Sequence, residues 1–526
     1  MKIANNIKKN YFYYILTIFL AVGMLLSLKV GITHDESHNN LVWEFNKKKF
    51  FNIFFNKNFD VSFLETYHGF YGVGFYYLSS ILELFTLNFI DKENLKEEGA
   101  LLLAKHPTVF LFFVLSGIYL RKLIYLSTRN KNYSNLCCLM FLTYPYLLGH
   151  SLFNVKDVPF MSLWMICTYY IYNVLDDFFL KSKIKKKKII IFGILTAYLL
   201  SIRISGILIF LEYLFFLILF LKSYNYSFNR FLKDFYKDLF IFALSFFIFL
   251  YIFYPSFWNN PFKFFYSIIF MSGHIQTVCT ITLGECMKAQ DLPPTYLFIW
   301  LFFKLPLVIL MGLVLFPLIE KKLFLEKRNL IIVGSLMLTI SSIILILILL
   351  NVNLYDELRQ VLFLVPLIFI ISLITIFNFK KKISIFLVSF FIIFFSIQNL
   401  KIFPYNYLWL NNLNIFLKVN DNFEKDYWGA STKNIARVLN NNVNNKDACI
   451  ISNRNDGINY FIKDNNKCFK PFNDLYKKNE RPFYIAFTER SLSKGSPNNC
   501  KLFHEEKIKI NLSQENIVLA KILECN

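Results

Sequence analysis

The sequence predicts a polytopic α-helical membrane protein followed by a water-facing C-terminal domain of mixed α/β type, on three observations. Of its 526 residues, 56% are hydrophobic and 19% aromatic, and the mean hydropathy is +0.44, outside the ordinary soluble range. Apolar runs of roughly the 17 to 25 residues that cross a bilayer recur from Tyr11 to Leu400 and then stop. The lysines and arginines of a chain with net charge +22 fall in clusters between those runs.

The clusters set the topology. They lie at Lys2, Lys8 and Lys9; at Arg121, Lys122, Arg129 and Lys131; at Lys181, Lys183 and Lys185 to Lys188; at Lys222, Arg230, Lys233 and Lys237; at Lys321, Lys322, Lys327 and Arg328; and at Lys380 to Lys382. Short basic loops beside spans stay in the cytoplasm. The charge therefore records orientation and argues against nucleic-acid binding. Treating each cluster as cytoplasmic gives spans near 11–30, 108–126, 135–152, 159–176, 189–202, 205–221, 238–254, 296–318, 329–350, 361–378 and 383–400, about eleven crossings. The first run lacks a small-residue cleavage site and is expected to be a retained signal anchor. Counting the apolar stretch Tyr71 to Ile90 as a span would place the Arg121 cluster outside. It is expected to be a re-entrant or interfacial helix of an outer loop, 31–107. A second outer loop covers 255–295. The expectation is a multi-pass protein of the cytoplasmic membrane, residues 1–400, with its N-terminus inside and a periplasmic or extracellular domain, residues 401–526.

That last domain is rich in Asn, Lys and Asp. A helix is expected from Ser431 to Leu439, and strands at Cys449 to Ser452, Phe483 to Phe487 and Ile517 to Leu523. Their sheet order is not readable. Cys137, Cys138 and Cys167 fall inside spans, where a thiol packs as a small apolar group. The other cysteines, Cys279, Cys286, Cys449, Cys468, Cys500 and Cys525, fall only in segments assigned outside, where disulfides persist. Four cysteines in the terminal domain allow three connectivities, and spacing does not choose among them.

Five polar features stand beside the spans. Asp35-Glu36 follows the first helix; solvation explains such a pair, and so does general-base work by a carboxylate whose pKa is raised by desolvation and a like-charged neighbour. Lys156-Asp157 lies in a hairpin on the same face, with Asp157 placed to cap the next helix and Pro159 in its first turn. Arg203, in the break Ser201 to Gly206, and Arg359, after Tyr355-Asp356-Glu357, both sit outside against the positive-inside bias. Snorkelling or a local ion pair with Asp356 or Glu357 accounts for them, as does an anionic lipid headgroup, for which the arginine fork is well matched. Lys304 lies within a span, where a charge is costly. Together these groups describe a pocket for an anionic lipid-linked substrate with a carboxylate base at hand. No Walker-type loop, HExxH or paired CxxC is present, so nucleotide hydrolysis and zinc catalysis find no motif here.

In this order the motifs resemble the GT-C superfamily of polyprenyl-phosphate-sugar-dependent glycosyltransferases, in particular the protein-O-mannosyltransferase and aminoarabinose-transferase group called glycosyltransferase family 39. The pieces are Asp35-Glu36-Ser37, Tyr71-Gly72, Lys156-Asp157, Arg203-Ile204-Ser205-Gly206, Tyr296 to Pro306 with its Lys-x-Pro, Arg359, Phe403-Pro404-Tyr405 and Asp426-Tyr427-Trp428-Gly429. The resemblance implies a GT-C-like fold and inverting, metal-independent transfer of a sugar from a polyprenyl phosphate to an acceptor at the outer membrane face. Asp35 would be the base, Glu36 its partner and Asp157 the second acid. Arg203 and Arg359, with Lys156 and Lys304, would hold the donor phosphate. No cofactor is expected, and a divalent ion is left open. The aromatic residue that often follows the acidic pair is replaced around His38 and Asn39, which leaves the acceptor open, whether lipid, glycan or protein. A lipid-glycan transporter and a non-catalytic envelope-assembly protein are the competing classes. Transporters tend to show repeated halves and midplane breaks, and no repeat is visible here.

Overall fold

A computed structural model of the chain describes residues 2–91, 95–181, 184–442, 449–452, 455–462, 468–471, 483–488, 500–510 and 516–525. Lys183 lies outside the described residues. The first half is built from α1 (Lys2–Ser27), α2 (His34–Phe55), α3 (Gly74–Thr86), α4 (Glu97–Leu103), α5 (His106–Thr128), α6 (Lys131–Thr143), α7 (Pro145–Ser151), α8 (Asp157–Lys181) and α9 (Lys186–Ile202). It continues with α10 (Ile209–Ser223), α11 (Phe228–Phe253), α12 (Lys263–Ser272), α13 (Tyr296–Lys304), α14 (Leu307–Phe324), α15 (Lys327–Leu349), α16 (Leu364–Phe379) and α17 (Lys381–Ile402).

The helix ends sort to two poles. α1 finishes where α5 starts, since a ring nitrogen of His106 lies 3.1 Å from the Ser27 carbonyl, and the helices then run antiparallel until Arg121 lies over the ring of Phe12. Everything between Ser27 and His106 thus leaves and returns at one pole. α3, with 13 residues, would reach about 20 Å, short of a hydrocarbon core of about 30 Å. Lys188 pairs with Asp177 at 2.6 Å, and Lys327 lies over Tyr224, so these basic loops close turns at the ends of α8 and α10, away from Asp157 and Arg203.

Among the described residues, six helices are long and apolar enough to cross a membrane, or seven when α13 and α14 count as one span. The expected count of eleven is therefore not reached by length alone. Of the expected spans, 135–152 is cut where Pro145 opens α7, and α1 beyond Tyr11, α9 and α16 are shorter helices. The expected span 296–318 is bent by 116°. Pro306 cannot continue a helix, and it pushes Leu305 into an extended conformation (φ −70°, ψ 139°). Lys304 consequently ends a short helix at a corner.

The C-terminal part has the expected helix, Thr432–Asn442. A hairpin of β1 (Cys279–Thr282) and β2 (Glu285–Lys288) precedes a five-stranded sheet of β3 (Cys449–Ser452), β4 (Cys468–Pro471), β5 (Phe483–Thr488), β6 (Cys500–Ile508) and β7 (Ile517–Cys525). Its order is β4-β3-β5-β7-β6; β3 runs parallel to β4 and β5, and β7 antiparallel to β5 and β6. Cys279 is bonded to Cys286 and Cys500 to Cys525, and Cys449 is also in a disulfide. Although the spans stop near 400, Tyr405 to Ala430 pack into the core of the helical body. Asn411 ties that strap to the α13–α14 corner: its N–H donates to the Phe303 carbonyl at 2.8 Å and its Nδ2 to the Leu305 carbonyl at 2.9 Å.

Candidate functional site

The site is assembled at the pole where α1, α9 and α15 end and α2, α5 and α8 begin. Thr33 precedes α2 in an extended conformation, and its N–H and hydroxyl both donate to Glu36 Oε1, at 2.7 and 2.8 Å. This is a capping-box arrangement, which satisfies an orphan donor at the helix start. The other oxygen, Glu36 Oε2, receives His106 Nε2 at 2.8 Å. Both oxygens of Glu36 are engaged and the residue is buried. Asp35, one position earlier, projects the other way and keeps 40% of its side chain exposed.

Asp35 lies in a cavity of about 1080 Å³ that is also lined by Lys156, Asp157, Arg203, Tyr355, Arg359 and Trp428. Arg359 Nη1 donates to Asp35 Oδ2 at 3.0 Å. Its guanidinium is centred 4.5 Å over Trp428 and 4.8 Å over Tyr355, so the aromatic faces hold its plane. Arg203, extended between α9 and a 3-10 turn (φ −143°, ψ 131°), is ion-paired with Asp157. Asp157 Oδ2 also accepts from Asn154 Nδ2 at 3.0 Å. The cap of α8 is Asn154, whose Oδ1 accepts the Asp157 N–H at 2.9 Å; the capping role expected of Asp157 belongs to its neighbour. Lys156 Nζ stands 4.2 Å over the ring of Tyr71. Tyr71 is seated by Gly72, where a Cβ would come within 2.5 Å of the Ser201 and Ile202 carbonyls, so only glycine lets the chain approach α9 so closely.

Charges here tune one another. Burial pushes the Asp35 carboxyl up, but Arg359, His34 and Lys156 together pull it further down, to below the ordinary aspartate value. This corrects the expected upward shift: the neighbours that dominate are cations, and Glu36 is turned away. Burial, helped by Arg203, lowers the Lys156 amine to about 7 against the opposing pull of Asp157 and Asp35. Arg359 is held firmly charged, since Asp35, Tyr355 and Asp157 outweigh its burial. On the far wall, His38 Nε2 and His68 Nδ1 are 2.9 Å apart, and burial together with Lys156 and His68 depresses His38 to about 4.

A second, apolar groove of about 230 Å³ opens beside the cavity, between the 3-10 turn after Arg203, α12 and α15. Tyr71, Lys156 and Arg203 line both. The structure therefore brings Asp35, Lys156, Asp157, Arg203 and Arg359 together. It does not bring Lys304, which lies outside the cavity lining, buried and 2.8 Å from Glu357 Oε2. Sequence reasoning missed His106, Tyr355 as a stacking partner and the clustered His38, His68 and His274. The Thr33-x-x-Glu36 spacing was a readable capping signal; the histidines gave none. No group of three or more metal-ligating side chains occurs among the described residues.

The body and its site define a multi-pass helical membrane protein with a polar cavity at one pole. No protein-family model matches the chain, and no curated protein matches it in sequence. Among solved structures it is similar to ArnT from Cupriavidus metallidurans bound to undecaprenyl phosphate, with a TM-score of 0.46 and 9% identity over 98% of each chain. It is similar also to ArnT in the apo state, with a TM-score of 0.45, 9% identity, and coverage of 99% of this chain and 98% of that one.

Proposed function

We propose that the protein is a GT-C glycosyltransferase, of the family 39 type, which moves a sugar from a polyprenyl-phosphate donor to an acceptor at the outer face of the cytoplasmic membrane. One observation carries this reading: a cavity that brings Lys156, Arg203 and Arg359 together with the Asp35 carboxylate shares the lining residues Tyr71, Lys156 and Arg203 with an apolar groove. An isoprenoid chain suits the groove, and its phosphate then falls among Lys156, Arg203 and Arg359. The basic loops at the opposite pole support a cytoplasmic position for that pole. The outer pole then carries the cavity and the C-terminal sheet.

The acceptor hydroxyl attacks the anomeric carbon opposite the phosphate, the carbon–oxygen bond to phosphate breaks, and the electron pair leaves with the polyprenyl phosphate. The anomeric configuration inverts. Arg359 and Arg203 stabilise the charge growing on the leaving group. Asp35 takes the acceptor proton. Paired with Arg359, Asp35 is a weak base. When the donor phosphate draws the guanidinium, that stabilisation is shared, and the Asp35 pKa rises toward the range useful for proton transfer. The donor thus switches on its own base. Asp157 positions Arg203 and supplies the second carboxylate.

Purified wild type and Asp35→Asn, supplied with a labelled polyprenyl-phosphate sugar and a membrane-lipid and glycan acceptor mixture, provide the test. Transfer by wild type and its loss in the variant is the expected result. Equal transfer by both would remove Asp35 from its role, and no transfer by wild type would turn the case toward a transporter or an envelope-assembly protein.

A further inference from the structure

Arg359 follows a backbone turn that its own sequence does not favour. Asp356 and Glu357 both take the left-handed conformation, φ 55° and 64°, which non-glycine residues hold only when their surroundings impose it. The surroundings here are specific. The Asp356 N–H donates to Thr280 Oγ1 at 2.8 Å, and the Glu357 N–H donates to Tyr296 Oη at 3.0 Å. The Glu357 carboxylate meets Lys304 Nζ at 2.8 Å and accepts from Tyr427 Oη at 3.3 Å. Lys304 is fixed in turn by donating to the Tyr407 carbonyl at 3.3 Å and by the ring of Tyr146, 4.6 Å away. Both members of the pair are 1% exposed. A charge pair sealed this far from solvent gives little net stability, because desolvation offsets attraction. Its effect is geometric. It ties the α13–α14 corner to the residue two places before the cavity arginine.

We propose that Lys304 and Glu357 are positioning residues that hold Arg359 in register with the donor phosphate. The inference rests on the transferase reading and assigns Lys304 to the arginine instead of to the phosphate itself. It implies that the left-handed turn at Asp356-Glu357 relaxes when the pair is removed and that Arg359 then loses its fixed approach. The guanidinium would still be present and charged. Only its aim would change.

The experiment measures binding of a polyprenyl monophosphate to the purified full chain in detergent. The double variant Lys304→Met/Glu357→Met removes the pair without stranding a buried charge. The expected result is a folded protein whose dissociation constant rises roughly tenfold. The same double change made on Arg359→Ala should weaken binding no further, because a positioning effect has nothing left to act on. Wild-type affinity in the double variant, or an equal loss in the Arg359→Ala background, would overturn the proposal. Should the double variant not fold, Thr280→Val decides: weaker binding supports the brace, and unchanged binding overturns it. Failure of wild type to bind any polyprenyl monophosphate would overturn the transferase reading itself and this inference with it.

Discussion

Two ion pairs whose members Glu357 and Arg359 stand two places apart in the chain behave as opposites. Arg359–Asp35 faces the cavity, with the aspartate 40% exposed; Lys304–Glu357 is sealed, with each partner 1% exposed. The open pair joins groups 324 residues apart and is open to exchange: on the proposed transferase reading, the donor phosphate competes for the arginine and the acceptor for the aspartate. The sealed pair has no competitor. Charge pairs of similar length thus do different work according to what else can reach them: one is a contact that a ligand replaces, the other a fixed point from which that contact is hung.

The sharpest way to break the comparison is at the open pair. Asp35→Asn is expected to lower the transfer rate by about 10³-fold, as loss of a positioned base does, while thermal unfolding of the detergent-solubilised protein stays near wild type. A large fall in melting temperature would make the open pair structural after all. At the sealed pair the pattern should invert. Glu357→Leu leaves the Lys304 ammonium buried without its carboxylate and is expected to cost about 3 to 5 kcal/mol of stability, read by denaturant unfolding.

Lys156 offers a finer test. Burial and Arg203 lower its amine to about 7, so above that pH the cavity loses a positive charge and must recover a proton to bind phosphate. Affinity for a donor phosphodiester, which does not itself titrate there, should fall as pH rises from 7 to 8, by at most roughly tenfold. Lys156→Met should flatten that dependence. The smallest effect is expected at the base of α2. Thr33→Ala loses one oxygen contact of the Glu36 cap and should cost about 1 kcal/mol in stability, with Asp35 still able to function; scanning calorimetry with a parallel transfer assay checks both.

How much of this was legible follows from the range of each interaction. The apolar runs and basic loops marked the helices because both signals are local. The proline corner after Lys304 was written in the chain, yet the run around it still looked like one span, because hydropathy does not register direction. Arg203 and Arg359 could be singled out by charge on an unexpected side, and Asp35 and Asp157 as carboxylates on connections beside the spans. Their meeting could not be read, since nothing in the spacing of residues 35 and 359 says that they touch. Glu357 was considered only as a local partner for Arg359, whereas it reaches Lys304 at 2.8 Å and leaves Asp356 at 3.7 Å from the arginine. Sheet order in the terminal domain was hidden for the same reason: β3 pairs in parallel with β5 across a long excursion, and β4 and β6 are short or polar enough to escape periodicity.

The groove shared by α12, α15 and the turn after Arg203 has a kinetic consequence. A ligand that reaches Lys156 and Arg203 along an apolar wall arrives sideways from within the leaflet, after diffusing in two dimensions. Saturation should then depend on the mole fraction of that ligand among the surrounding lipids or detergent, and diluting the bilayer with inert lipid should slow the protein even when the amount of ligand per volume of sample is unchanged.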